Sequence, residues 1–194
     1  MNEARDRAHF NKWSATYEQS AIQRYLKRVH DVILEQIAAG RSPTRILDVG
    51  CGTGRLLRRA ADRWPAAEVA GVDPAEGMIE VARRLTPRAA LHVARAEHLP
   101  FAAETFDAVA TSVSLHHWPD QAAGLREAAR VLRPGGRVVV ADLSPPGWLT
   151  RLFHPPARSR AEFRALLEGA GLRVVGQQSL LAGIVAVSTA DKPQ

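Results

Sequence analysis

Apolar positions along this chain switch between two periods, and the switching predicts an α/β order of elements. From Gln19 to Ala39, Ile22, Leu26, Val29, Ile33 and Ile37 recur every three or four residues, with Lys27, Arg28, Asp31 and Glu35 off that stripe. That is one helix laid against a sheet, stopped by Gly40 and Pro43. Ile46, Leu47 and Val49 then form a short apolar run, as expected of a strand buried on both faces. Leu56-Leu57 and Ala60-Ala61, opposed by Arg58, Arg59 and Arg63, restore the helical period. The alternation continues with a strand over Glu68–Val72, a helix striped by Met78, Val81, Ala82 and Leu85, and strands over Ala90–Ala94 and Ala108–Ser112. A helix over Gln121–Leu132, a tight turn over Arg133–Arg137 and a strand over Val138–Leu143 follow. Last come a helix over Arg160–Glu168, strands over Leu172–Gln178 and Ile184–Thr189, and a frayed tail from Asp191. Residues 1–40 read as an N-terminal helical cap and 41–190 as the core of a single domain.

Composition narrows the class. The 194 residues suffice for one core, and 46% hydrophobic with 24% charged content is that of a soluble globular chain. No apolar run approaches the ~20 residues of a membrane span, and no apolar stretch follows the N-terminal charges, so a cytoplasmic protein is expected. The single cysteine, Cys51, excludes an intrachain disulfide and a multi-cysteine metal site. The seven histidines show no metal-ligand spacing, so no metal is expected. A net charge of +6 raises the question of nucleic acid. The basic residues are scattered over nearly every predicted helix, however, with no aromatic-interleaved patch, which disfavours that partner.

The chemistry concentrates at Arg45–Arg55, where a strand runs into Gly50, Gly52 and Gly54 and then a helix. Such a turn suits a nucleoside cofactor, because glycines admit positive φ and let backbone press on a ligand, with amides free at the helix start. A dinucleotide fingerprint would place its third glycine where Arg55 stands. Asp48, two residues before Gly50, is awkward beside a pyrophosphate and suits a cationic amine. Asp73 ends the next strand, 19 residues after Gly54, where a carboxylate caps the following helix or accepts from ribose hydroxyls, or both.

Asp-Val-Gly-Cys-Gly-Thr-Gly over 48–54 resembles motif I of the class I S-adenosylmethionine-dependent methyltransferases. The nearest branch is the ubiquinone/menaquinone-biosynthesis-like, or type 11, group. Leu99-Pro100-Phe101 followed by Phe106-Asp107 is a second likeness, and Val131-Leu132-Arg133-Pro134-Gly135-Gly136-Arg137 a third. The resemblance implies a Rossmann-like, doubly wound, mostly parallel seven-stranded sheet of order 3-2-1-4-5-7-6 with an antiparallel last strand. It implies S-adenosyl-L-methionine as cofactor and a small-molecule methyl acceptor, with O- or C-methylation favoured, in a monomer or homodimer. Cofactor contacts then fall on Tyr17, Asp48, Gly50, Cys51, Gly52, Gly54, Asp73, Pro74, Met78, Arg95, Ala96, Glu97 and Ser112. The family usually writes Asp where Arg95 stands. Guanidinium cannot accept from the adenine amine, so Arg95 is expected to stack on the purine while Glu97 or a backbone carbonyl takes the amine.

The segment after Ser112 should face the transferable methyl, which makes His116 or His117 the candidate general base. Trp13 is expected to shape the acceptor pocket together with Trp148 and Phe153, which sit in a proline-rich stretch after Ser144 that is either a substrate lid or a connector. Two alternatives remain at this level: a methyltransferase of RNA or another nucleic acid, and an S-adenosylmethionine-binding module without catalysis. The Asn/Asp-Pro-Pro-Tyr/Phe motif of amine-methylating nucleic-acid enzymes is absent after the fourth strand, where Ser112-Val113-Ser114-Leu115 stands.

Overall fold

A computed structural model describes residues 3–20, 22–39, 42–145 and 158–194. One sheet of seven strands has the order β3-β2-β1-β4-β5-β7-β6. The strands are β1 (Arg45–Val49), β2 (Glu68–Asp73), β3 (Ala90–Val93), β4 (Phe106–Ser112), β5 (Leu132–Leu143), β6 (Arg173–Leu180) and β7 (Val185–Asp191). β1 to β5 run parallel, and β7 is antiparallel to both β5 and β6. The order and the reversed last strand are those the resemblance implied.

The helices are α1 (Glu3–Tyr17), α2 (Ile22–Ala38), α3 (Arg55–Arg63), α4 (Glu76–Leu85), α5 (Gln121–Val131) and α6 (Arg160–Gly169). Side chains alternate across a strand, so β5 feeds two cores. Val138 and Val140 pack with Leu125 of α5 and Phe163 and Leu167 of α6. Val139 and Ala141 pack with Val29, Ile33 and Ile37 of α2 and Leu57 of α3. The stripe read from α2 is that buried face. None of the described helices is long and apolar enough to cross a membrane.

Two expectations at the bottom of the sheet are corrected. Arg133–Arg137 is an irregular stretch within β5 rather than a free turn, because the Gly135 amide donates to the Lys192 carbonyl and the Lys192 amide to Gly136. The tail is accordingly held: Asp191 takes a two-pronged ion pair from Arg137, and Lys192 Nζ donates to the Leu132 carbonyl.

At the other end, β1 connects sideways to β2 while β4 lies on its opposite flank. This is the switch point where open α/β sheets leave a crevice. The segments 50–54, 73–75, 94–97 and 112–119 meet there, and α1 lies across it. The Asn11 carboxamide accepts the Gly77 amide at 2.9 Å, fixing α1 to α4. Glu18, just past α1, accepts from Thr53 and pairs with Arg55 at 3.1 Å and Arg58 at 2.9 Å. Burial pulls the Glu18 carboxyl upward, but the Thr53 hydroxyl and the two guanidiniums outweigh it and hold it below the usual carboxylate range.

Candidate functional site

The glycine turn is built differently from the sequence expectation. Its amides are not free: those of Gly50 and Cys51 both donate to the Val72 carbonyl, that of Gly52 to Asp73 Oδ2 and that of Gly54 to the Cys51 carbonyl. A phosphate would find no cradle in these four N–H groups. The glycines also divide their labour. A Cβ on Gly50 would lie 1.8 Å from Ser114 Oγ, and one on Gly54 2.9 Å from Thr86 Oγ1 beside α4. Both therefore serve close packing of chain on chain. Only Gly52 faces open space, with nothing nearer than Tyr17 Cε1 at 4.0 Å.

The turn floors a cleft enclosing about 840 Å³ of atom-free space, open mouth included. Of the residues expected from sequence, Tyr17, Gly50, Gly52, Asp73, Pro74, Met78, Arg95, Ala96, Glu97, Ser112 and His117 line it. Phe10 and Arg7 of α1, Val113, Ser114 and Trp118 join them. Asp48 and Cys51 lie in an adjoining recess shared with Tyr17, Gly50, Gly52 and Ser112. Gly54 lines neither. Trp13 stands one layer back, its ring 4.8 Å edge-on to Tyr17, so it supports the wall rather than forming it. Trp148 and Phe153 lie outside the described residues. Glu97 is anchored by the Asp120 amide at 3.0 Å. Pro74 lies just before α4, whose N-cap is Ala75.

Two carboxylates define the electrostatics, Asp48 buried and Asp73 half-buried. Asp73 accepts from the amides of Gly52 (3.0 Å) and Ala75 (2.9 Å); burial still outweighs both bonds and pushes its pKa up to about 6. Asp48 is 2% exposed, and its Oδ1 has no hydrogen-bond partner. Burial, with Asp73 nearby, pushes it up to about 8. These acceptors fit a ligand that brings donors, an ammonium and ribose hydroxyls, and oppose one that brings phosphates.

A stability prediction follows from Asp48. Its folded pKa stands above its unfolded value, so the folded state holds a proton that the unfolded chain has lost. That contribution disappears as pH rises toward 8. Between pH 6.5 and 8 the ligand-free protein is expected to lose ~2 kcal/mol of stability through this group. Urea unfolding at the two pH values measures it, and Asp48→Asn should flatten the slope.

The two candidate bases are separated by the structure. His117 lines the cleft and meets Phe10 edge-on at 5.2 Å. His116 does not line it. Its Nδ1 pairs with Asp142 Oδ1 at 2.6 Å and its amide with Asp142 Oδ2 at 2.9 Å, while its ring lies 4.0 Å from that of His117. Asp142 is fully buried and was missed in the sequence, although a lone carboxylate closing the apolar run Val138–Ala141 was a readable signal. Val113 turns the chain into this segment with φ 51°, a left-handed conformation costly for a β-branched residue. Such strain, held by the Val113 amide on the Ala141 carbonyl at 2.7 Å, marks a site where geometry outranks stability.

Comparison with known proteins identifies the family and the fold. A family model described as "Methyltransferase domain" matches residues 47–140. A demethylmenaquinone methyltransferase from Beutenbergia cavernae is 36% identical over 80% of this chain and 77% of its own length. The O-methyltransferase cnsE of Penicillium expansum is 34% identical over 82% of this chain and 64% of its own. The chain spans about half the length, 51% and 56%, of two further curated relatives it matches. A solved S-adenosylmethionine-dependent methyltransferase from Aquifex aeolicus superposes with a TM-score of 0.71 at 20% identity, covering 84% of this chain and 88% of that one, a likeness of fold.

Proposed function

Since the chain belongs to the S-adenosylmethionine-dependent methyltransferase family, we propose that it methylates an oxygen or carbon of a small-molecule acceptor in the cleft at the switch point. The observation that carries this is the pair of carboxylates Asp48, with an unpartnered buried oxygen, and Asp73, with spare acceptor capacity, one strand apart at that cleft. S-adenosylmethionine supplies a methyl group already activated by its sulfonium charge. The chain's part is alignment, exclusion of water and, for a protonated acceptor, removal of a proton.

In this reading Asp73 accepts from the ribose hydroxyls. Each of its oxygens has capacity beyond the one amide it now accepts. The wall from Ala94 to Glu97 borders adenine, with Arg95 on its face. Phe10 and Tyr17 close the cleft from α1 and keep water out, and the Glu18 pairs hold that helix over it. His117 takes the acceptor's proton on its imidazole, and Asp142 keeps His116 packed against it.

Calorimetric titration with S-adenosylhomocysteine, the demethylated product, tests the cofactor assignment; no heat and no competition with S-adenosylmethionine would refute it. Incorporation of labelled methyl into a panel of phenols, quinols and hydroxy acids tests the acceptor class. Asp73→Ala is expected to weaken product binding by ~1–3 kcal/mol through lost charge-assisted hydrogen bonds. Unchanged affinity would remove the ribose role.

A further inference from the structure

Among the described residues, four charged side chains line the cleft: Arg7 of α1, Asp73 of β2, and Arg95 and Glu97 after β3. In the reading above the last three stand along the cofactor, Asp73 at ribose and the other two at adenine. Arg7 is left over. It lies three residues before Phe10, so one face of α1 carries both, and Phe10 meets the His117 ring edge-on at 5.2 Å. Val113, Trp118 and Pro119 wall the same part of the cleft, and the Trp118 indole N–H is already spent on Ser114 Oγ at 3.2 Å. Aromatic and apolar walls thus carry a guanidinium at one place and an imidazole at another.

We propose that the methyl acceptor is a flat anion, an aryl ring bearing a carboxylate and a hydroxyl, with Arg7 pairing the carboxylate, Phe10 and Trp118 covering the ring and His117 facing the hydroxyl. The hydroxyl oxygen bonds to the methyl carbon as the carbon–sulfur bond breaks and its electron pair returns to sulfur, while the hydroxyl proton passes to His117. The assignment rests on the methyltransferase reading of the cleft. It adds Arg7, on the N-terminal helix rather than on the sheet, as the residue that sets acceptor specificity.

The pairing of charges elsewhere in the fold singles Arg7 out. Glu18 takes Arg55 and Arg58, and Asp31 takes Arg59. Among the described residues no carboxylate pairs with Arg7. The carboxylates that share its cleft are engaged: Asp73 by the amides of Gly52 and Ala75, Glu97 by the amide of Asp120. A guanidinium presents a planar fork that fits a carboxylate through two parallel bonds. The spacing suits one small ring, since about 4.5 Å of helix rise separates Arg7 from the Phe10 that touches His117. Charge also excludes. An acceptor carrying an ammonium would meet two positive groups, Arg7 and the sulfonium, whereas a carboxylate is drawn to both. A neutral ring would fill the same walls and leave the guanidinium idle, so charge rather than shape separates an acid from its ester.

The test loads the protein with S-adenosylhomocysteine and titrates it with matched pairs, para-hydroxybenzoate and para-hydroxycinnamate each against its methyl ester. At least one acid is expected to bind about tenfold tighter than its ester, the worth of one hydrogen bond between charged groups. With S-adenosylmethionine in place, labelled methyl should appear on the hydroxyl oxygen of that acid. Arg7→Gln should erase the preference and leave the ester bound as to the wild type, while Arg7→Lys, which keeps the charge without the fork, should retain part of it. Arg7 is exposed, so neither change disturbs the core. Phe10→Leu should weaken acid and ester alike. Acid and ester bound equally, a preference that survives Arg7→Gln, an acid bound but not methylated, or a loaded protein that binds no acid of the panel overturns the proposal and leaves the cofactor reading standing. Failure of S-adenosylhomocysteine itself to bind sinks that reading, and the proposal with it.

Discussion

Gly50→Ala is expected to destabilise the protein by about 3 kcal/mol and to abolish binding of S-adenosylhomocysteine. Gly50 has φ +77°, and a left-handed residue with a side chain costs ~1–2 kcal/mol. The new methyl would also lie 1.8 Å from Ser114 Oγ and 2.6 Å from Ser114 Cβ, so β1 and the segment after β4 must separate. Overpacking of this kind costs ~1–3 kcal/mol. That separation would widen the floor on which Asp48, Gly52 and Ser112 are set. Adding Ser114→Gly removes the overlap and should return the steric share, leaving the backbone cost. Gly52→Ala should behave otherwise: φ +52° costs stability by roughly 1–2 kcal/mol, but its methyl points into the cleft and obstructs the ligand. Urea unfolding and product titration on the three variants separate packing from ligand approach. A Gly50→Ala protein of wild-type stability would mean that the turn is not packed on Ser114.

The contrast between those glycines shows what the sequence could and could not convey. Spacing told that β1 ends in a turn with a glycine at every second position, because a glycine needs no partner to be recognised as one. It did not tell that Gly50 yields to Ser114, 64 positions away, or that the amides were already spent on Val72 and Asp73. Asp73 was legible for a similar reason: it follows its own strand at a fixed distance. His30 and Asp142 were not. The stripe of α2 shows which face is buried, yet His30 sits on that helix between Val29 and the stripe's next member and comes to wall a recess only when β1 and β4 are placed beside it. Asp142 acquires meaning only through parallel pairing of β4 with β5, which brings His116 to its carboxylate. The held tail is another case, since Asp191 is anchored by Arg137 across a strand pair. Local chemistry is written in the chain; partners chosen by the sheet are not.

His117→Ala is expected to lower kcat by about a hundredfold or more on the acceptor found by screening, with S-adenosylhomocysteine affinity nearly unchanged. A base must be neutral to take a proton, so kcat/KM in the wild type should rise with pH through the base's pKa, and deleting the imidazole should erase that rise. The position argues for His117 over its neighbour: it lines the cleft, whereas His116 is turned to Asp142 and held there by two bonds. Asp142→Asn tests the supporting role. The amide can still accept the His116 backbone N–H, but its charge is gone, so the imidazole of His116 loses its ionic anchor and the packing against His117 loosens. The expected result is a smaller fall in kcat than in His117→Ala, with KM for S-adenosylmethionine held, because Asp142 lies behind His116 and lines neither the cleft nor the recess beside it. Should His117→Ala keep its turnover and its acid limb while His116→Ala loses both, the base would be His116, and the Asp142 pair would be orienting the reacting imidazole directly.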